Sequence, residues 1–533
     1  MKKLLLYFVS VLFLSNFALA QDVIIEGDIT SNTTLTANNS YLLRGFVRVQ
    51  PPAVLTIEAG TLIYGENSTQ GSLIVKPGAK IMAMGTESKP IIFTSEFAKL
   101  GSSTTPTYGD WGGIILLGNA TINVPGGTAL IEGPGDIYGG SDDADNSGVM
   151  QYVRIEYPGI AFSLNNEING LTFGGVGNGT QIDHIQVSYS GDDSYEWFGG
   201  TVNCKYLIAY RGWDDDFDTD FGYRGKLQFL VSLRDPDIAD QSGSNGFESD
   251  NDGSGSLNDP RTSPTWWNVS VFGPLAETSS VVNANYKRGM HLRRSSLNKI
   301  SNAVIAGWPT GIRLDGQYTI EGAINNTMWV NNSVVSGWNT VDLDTVSAAN
   351  QSFDIHTWFS NAAGRTYANN SDLQLNDPFN LTNPNFLPAV GSPLFSGAAT
   401  PPNDGFFDET ATFVGAFGTT DWTYPWSNFN PGGYVTAVEE SGSGLVNDFR
   451  LEQNFPNPFN PSTTIRFTIP NSGNVKLSVV NILGQTVAVL LNEFKNVGSY
   501  DINFDASQIA SGLYIYKIEA DGKIISKKMT LLK

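Results

Sequence analysis

The sequence predicts a right-handed parallel β-helix followed by a small antiparallel β-sandwich, on three observations. An apolar strand-like run returns every twenty-odd residues between 182 and 345: HIQVSYS (184–190), YLIAYRG (206–212), FLVSLRD (229–235), WNVSVFG (267–273), NAVIAGW (302–308) and NSVVSGW (332–338). A second alternating segment recurs between them: YEWFGG (195–200), FDTDFGY (217–223), GFESDN (246–251), GMHLRR (289–294), GIRLDG (311–316) and VDLDT (341–345). After residue 450 the chain changes to many short alternating runs separated by turn residues. A paired-strand unit at a near-fixed period is a solenoid signature. Each unit is too small to bury its own apolar face, so neighbours must stack to make a core. Right-handed coils are the default because parallel crossovers are nearly always right-handed.

In chain order, residues 1–20 read as a secretory signal peptide. Lys2 and Lys3 precede an apolar run over 4–14, and Ala18-Leu19-Ala20 supplies the small-x-small cleavage pattern. No later segment reaches the ~18 apolar residues of a transmembrane helix. Residues 21–345 are assigned to the β-helix. VIIEGDI, YLLRGFVRV, VLTIEAGTLIYG and SLIVKPGAKIMAMG open it, with 22–40 as a cap over its first edge, and GDWGGIILLG (109–118) and VMQYVRIEYPG (149–159) continue it. The Gly- and Asp-rich stretch at 126–148 reads as a loop projecting from the coils, and 239–265 as an insertion with a rung strand followed by a long polar turn. Residues 346–426, rich in Asn, Pro and Phe, are expected as an irregular cap on the C-terminal end of the solenoid, and 427–450 as a polar linker. Residues 451–533 hold TTIRFTIP, VKLSVVN, TVAVLLN, YDINFDA, LYIYKIEA and KIISKKMTLLK, the strand density of a small sandwich.

Composition fits this plan and narrows the function classes. Of 533 residues 41% are apolar, enough for a sizeable core, and only 16% are charged. The net charge of −21 argues against nucleic acid, whose phosphates attract basic surfaces. It suits an extracellular protein with cation-binding acidic turns, and solubility alone would also explain it. Cys204 is the single cysteine, so no intrachain disulfide forms, and its place entering a strand makes it a core residue.

Strand alternation then places side chains. With Phe247 and Ser249 inward, Glu248 and Asp250 face out; with Met290 and Leu292 inward, His291 and Arg293 face out; with Ile312 and Leu314 inward, Arg313 faces out. Stacked coils set equivalent positions about 4.8 Å apart. The outward column therefore reads Glu196, Asp218, Glu248, then His291 and Arg313, either directly or after an intervening coil. Acids beside cations on one β-helix face suit acidic-polysaccharide cleavage, in which calcium bridges acids to a substrate carboxylate and a nearby base takes a proton. On that reading Glu248, His291 and Arg313 are catalytic candidates and Glu196 and Arg293 ligand-binding ones. The alternative is a solvated face whose opposite charges relieve repulsion between rungs.

Two further signals accompany the column. Asp216, Asp218 and Asp220 alternate along one segment, and Asp250-x-Asp252-x-Ser254-Gly255 follows the opening of a calcium loop. These five aspartates are the calcium candidates, with plain Asx-turn chemistry as the alternative. Arg261 stands where an EF-hand needs its bidentate Glu, which excludes that motif. Trp213 and Trp308, like Trp266, Trp267 and Trp338, fall at strand ends or adjacent turns, a placement suited either to stacking on sugar faces or to plugging gaps between strand and loop. Three widely separated histidines make a His-rich zinc site a poor fit.

The C-terminal segment closely resembles the type A sorting domain of cargo exported by the type IX secretion system of Bacteroidetes-like Gram-negative bacteria. The motifs are NFPNPFNPSTTI (454–465), containing Pro456, Asn457, Pro458, Phe459, Asn460 and Pro461; VNILGQ with Gly484; ASGLY with Gly512; and KKMTL at 527–531. The resemblance implies export to the periplasm, recognition at the outer-membrane translocon, and a product released or attached to the cell surface. Residues 23–345 are similar to an uncharacterised family of secreted bacterial β-helix proteins, through TIEAGTLIYG, LIVKPGAKIMAMGTESKPIIFTS, GDWGGIILLG and SYEWFGGTVNCKYLIAYRGWDDDFDTDFGYRG. More loosely they share the pectate-lyase-like architecture, which hosts lyases, hydrolases and adhesins, so the fold does not choose an activity. The expected function is an exported β-helix protein that binds glycans or another extracellular ligand, with calcium at its acidic turns. The alternatives are a polysaccharide lyase or glycoside hydrolase acting at the Asp218–Arg313 face, and a structural or adhesive surface solenoid.

Overall fold

The computed structural model describes residues 22–163, 166–434, 450–451, 454, 457–469, 473–481, 485–495, 498–507, 509–520 and 523–532. The expected signal peptide, most of the expected linker, and Pro456 and Gly484 lie outside the described residues. The chain divides into two compact units, 1–438 and 439–533.

In the first unit, twenty-five strands join one continuous parallel sheet wound into a β-helix. Three ladders run along it. The strand Gly148–Glu156 shows how: its first half pairs with Lys80–Met84, its second half with Ile91–Ser95, and its whole length with Gln181–Ser188 on the next rung. Between the halves the chain turns a corner at Tyr152, whose φ is 49°. The same station on later rungs is held by His184, Tyr206, Phe229, Asn268, Asn302 and Asn332, all with φ between 51° and 62°. A positive φ is uncommon outside glycine, and its recurrence at one station marks a corner that every coil must make. The third ladder consists of the shorter second segments, Leu171–Val176, Tyr195–Gly200, Phe217–Asp220, Asn245–Ser249, Arg288–Leu292, Thr310–Asp315 and Val341–Val346.

Inward positions make columns. Ile182, Cys204, Leu227, Trp266, Ile300 and Val330 face one another in order, which explains why Cys204 is buried and its thiol pushed up by burial. Tyr195, Phe217 and Phe247 stack with ring centroids 5.7 and 5.4 Å apart, and Phe173, Trp197 and Tyr223 stack at 5.5 Å each. Such ring pairs add about 0.5–1.5 kcal/mol each beyond their area.

The ends differ from the sequence expectation. Val23–Ile29 and Thr33–Leu35 pair in parallel with the next strands, so 22–40 supplies the first rung itself and not a separate cap. At the far end two short helices close the coil, Gln317–Ile324 and Ile355–Asn361, the second inserting Ile355 and Phe359 into the main core. Helices of seven or eight residues show little periodicity and rely on packing to form. The segment expected as an end cap mostly runs back along the flank. Its Leu373, Phe386, Leu394, Val414, Phe417 and Trp426 cover Ile208, Tyr210, Val231, Leu233, Phe272 and Val304. These rung residues are the outward set of strands that are apolar on both faces, and such strands must be covered on both sides. The strap ends at Tyr434, whose Oη donates to Glu156 Oε1 at 2.6 Å. Residues 427–434, expected in the linker, are thus part of the body.

The second unit packs a three-stranded antiparallel sheet and a four-stranded one around a shared core that includes Ile465, Phe467, Leu477, Val479, Tyr516, Ile518 and Met529. The sorting motif is stitched to the last strand. Asn457 Oδ1 accepts from Thr530 N at 2.8 Å, and the Phe459 backbone exchanges bonds with Thr530 and Leu532, each at 3.0 Å. Asn460 follows on the surface, Pro461 O accepts from Ala506 N at 2.9 Å, and Gly512 opens the strand that pairs with Lys523–Leu531.

Candidate functional site

The third ladder carries the charged column that strand alternation anticipates. Across successive rungs Glu196 stands opposite Asp218, Asp218 opposite Glu248, Glu248 opposite His291, His291 opposite Arg313, and Arg313 opposite Asp344. Two residues further along the same rungs come Asp220, Asp250, Arg293 and Asp315. Near the start of the strands stand Asp193, Asp215, Asn245 and Arg288, because the turns entering the ladder also stack. The face therefore changes sign along the helix axis: carboxylates on the earlier rungs, mixed charges on the later ones.

On the later rungs charges are matched. Arg293 contacts Glu248 and donates from Nε to Asp250 Oδ1 at 2.7 Å, and Arg294 reaches Asp250 Oδ2 at 2.7 Å. Arg313 Nε donates to Asp344 Oδ2 at 2.7 Å. His291 lies between two acids, with Nδ1 3.6 Å from Glu248 Oε2 and Nε2 3.3 Å from Asp315 Oδ2. Burial lowers the imidazole pKa, while hydrogen bonding to Asp315 opposes that effect. The ring is thus largely neutral at pH 7.

On the earlier rungs carboxyls meet carboxyls. Oxygens of Asp193, Glu196 and Asp218 lie within 4.8 Å of one another, and so do those of Asp215, Asp218 and Glu248. Asp193, Glu196 and Asp218 are held well above the usual carboxylate range, first by burial and then by neighbouring acids, Asp215 foremost for Asp193 and Asp218 and Glu132 foremost for Glu196. Burial likewise pushes Asp214 up to about 8, Asp220 to about 7 and Asp215 to about 6. Amides fill some of the gaps: Asn169 Nδ2 contacts Glu196, and Asn245 Nδ2 lies 3.1 Å from Asp215 Oδ1 and 3.2 Å from Glu248 Oε2.

The five aspartates named as calcium candidates have different surroundings. Asp216 turns inward and pairs with Arg234 at 2.7 Å, both side chains fully enclosed, so it is committed to the core. Asp252 caps its own turn, accepting from the Ser254 and Ser256 hydroxyls and from Ser254 N at 2.9 Å and Ser256 N at 3.1 Å, and those bonds hold its pKa low despite burial. Asp250 is taken by Arg293 and Arg294. Asp218 alone of the five belongs to the carboxylate groups. The residues missed are Asp193, Asp215, Asn169 and Asn245. Their signal was the recurrence of Asp-Asp at 192–193 and 214–215, just before two third-ladder strands.

Trp308 is also reassigned. It is 1% exposed and its Nε1 donates to Val271 O at 3.3 Å, so it plugs the core and cannot meet a ligand. Trp266 and Trp267 are buried as well. Trp213 remains 37% exposed, its ring edge-on to Tyr108 at 5.6 Å, directly before the 214–216 aspartates.

Comparison with known proteins agrees with the architecture. No curated protein sequence matches the chain. Among solved structures, the enzymatically active domains of bacteriophage CBA120 tailspike protein 4 (11% identity, TM-score 0.22, covering 95% of this chain) and tailspike protein 2 (12%, 0.21, 93%) are similar. This chain spans 64% of the first and 72% of the second. Residues 453–531 match the secretion system C-terminal sorting domain, which marks the protein for handling by the type IX system and for release or attachment at the surface of a Bacteroidetes-type Gram-negative cell. Residues 27–375, well over half of the chain, match the pectate-lyase like beta helix domain, and the chain belongs to that family.

Proposed function

We propose that the β-helix body binds an extracellular polysaccharide along its third ladder, with Trp213 as the aromatic platform and Arg313, Arg293 and Glu196 as polar contacts. The observation that carries this reading is the register, which lines Glu196, Asp218, Glu248, His291 and Arg313 in one file over five rungs. At about 4.8 Å per rung the file is roughly 19 Å long, a length suited to a chain ligand more than to a single sugar. The sorting domain supports the same reading by delivering the body to the side of the envelope where polysaccharide is met.

The test is a broad glycan panel probed with the full chain and with Trp213→Ala. Retention on at least one polysaccharide, lost in Trp213→Ala with the melting temperature unchanged, is the expected result. Absence of retention across the panel would leave a structural or adhesive solenoid. A second reading, cleavage, is favoured by one observation: a largely neutral His291 between Glu248 and Asp315, one rung from Arg313. In that arrangement His291 serves as base and Arg313 as clamp, while the raised carboxyls supply a proton donor. Release of shortened or unsaturated products, abolished in Arg313→Ala and Glu248→Ala, would move the assignment from binding to catalysis.

A further inference from the structure

The outward file that carries Glu196 and Arg313 does not begin at Glu196. Register extends it backwards through Thr172, Ile115 and Ile74 to Arg48, one residue per rung. Two of these are isoleucines, and an apolar side chain on the outside of a coil must be covered by another part of the chain. The cover is the 118–147 loop. Its Ile122, Ile131 and Tyr138 are buried in one cluster with Ile74, Ile115, Leu117 and Phe198. Polar contacts fasten it down. Asp136 accepts from Arg48 Nε at 3.0 Å and from Lys76 Nζ at 2.5 Å, Arg224 Nη2 lies 3.2 Å from Asp143 Oδ1, and Asn123 Nδ2 donates to Asn251 O at 2.7 Å. A segment held by its own buried cluster and pinned at several points is a fixed part of the body.

The chemistry of the file changes where this loop ends. Ile115 and Thr172 are each 1% exposed and Glu196 8%, whereas the Arg313 and Asp344 side chains reach 24% and 28%. A cleft along the file is therefore shut at the Glu196 rung and opens toward the last rung. At the shut end Glu132, carried by the loop, and Glu196, carried by the ladder, both accept from the Asn169 side-chain amide. Trp213 flanks this end: its backbone N donates at 2.9 Å to Ser190 O, in the turn that enters the Glu196 rung.

We propose that the cleft is blind-ended and takes the terminus of a polysaccharide chain, an inference that rests on the polysaccharide reading of the ladder and adds its direction. The chain end stops against the 118–147 loop with its terminal hydroxyl on Glu132 and Glu196, and the rest of the chain leaves past Arg313. A terminal sugar carries a free hydroxyl where an internal one carries a glycosidic bond. A carboxylate offers about four lone-pair sites, enough to accept from such a hydroxyl as well as from Asn169. An internal stretch does not fit the file, because its chain would have to continue through the loop that covers Ile115.

The test uses the full chain and linear oligosaccharides of glucose, mannose, xylose, N-acetylglucosamine and galacturonate, extended to any other linear glycan that the broad panel retains. Each is coupled to the support in two forms, through its reducing end or through its non-reducing end, so that one terminus is blocked and the other free. At least one glycan should be retained in one form and at least tenfold more weakly in the other. Glu132→Ala should weaken the retained form at least threefold at an unchanged melting temperature, which locates the bound terminus at the loop. Equal retention of both forms overturns the blind-ended cleft and leaves the polysaccharide reading standing. Wild-type retention by folded Glu132→Ala overturns the seat at the loop. No retention of any glycan in either form defeats the inference together with the reading it rests on.

Discussion

Two columns of stacked residues run along this β-helix, and they have opposite fates. At the corner between the first two ladders, Tyr152, His184 and Tyr206 stack at 4.4 and 4.3 Å, Phe229 follows at 4.9 Å, and Phe413 of the strap joins at 6.4 Å. The column continues as asparagines whose amides bond the strap backbone: Asn268 to Phe413 O, Asn302 to Ala399 O and Asn332 to Gly397 O, each at 2.8 Å. Each polar atom in these contacts finds its partner inside the chain. On the third ladder the same stacking brings Asp193, Glu196 and Asp218 together, and there the chain leaves carboxyls facing carboxyls. Repetition on successive rungs stabilises neutral rings and amides but accumulates repulsion between like charges. The first column is neutral and paired throughout; in the second, burial and like charge push the carboxyl pKa values up.

That contrast can be broken on either side, and the strap side should yield the larger effects. Trp426→Ala removes a buried ring that packs edge-on against Tyr152 and His184, and should cost about 3–5 kcal/mol in urea unfolding. Asn302→Ala loses a reciprocal pair of bonds with Ala399 and must hold φ of 56° without a side-chain amide. It should cost about 1–3 kcal/mol by the same measurement. Where the strap ends, the buried Glu156 carboxyl has its pKa raised above 4.5, chiefly by burial. A raised carboxyl pKa favours the folded state at low pH and loses that advantage as pH climbs from the unfolded value through the folded one. Glu156→Gln should therefore melt with wild type at pH 4 and above it at pH 8. On the charged face Arg313→Ala breaks one partly exposed pair with Asp344 and should cost less than about 1 kcal/mol, so any large loss of polysaccharide retention in it reports on binding and not on folding.

The order of the charged file was legible before any coordinates, because strand alternation fixes in and out and the repeat fixes which rung follows which. Asp218, Glu248, His291 and Arg313 were placed that way. Asp193, Asp215, Asn169 and Asn245 were not, since they lie at or beyond strand starts, where no alternation holds. Trp308 was misread for a related reason: next to a turn, a one-residue difference in register turns a ring from surface to core. Asp216 went inward because Arg234, eighteen residues on, offered a buried partner that no local pattern reveals. The strap was invisible because its contacts join residues as far apart as Asn268 and Phe413, with no periodicity in the segment itself.

By itself the sequence determined that the body is a stacked coil, that its C-terminal module carries an export tag, and which acids and cations share a face. These follow from period, alternation and contiguous motifs, all of which are local. Only the tertiary structure decided which carboxyls find a cation, which are left to one another, and which aromatic side chains reach the surface. Those outcomes depend on how turns of unequal length and a returning strap fill the space around each rung, and such distances are set by packing, not by spacing along the chain.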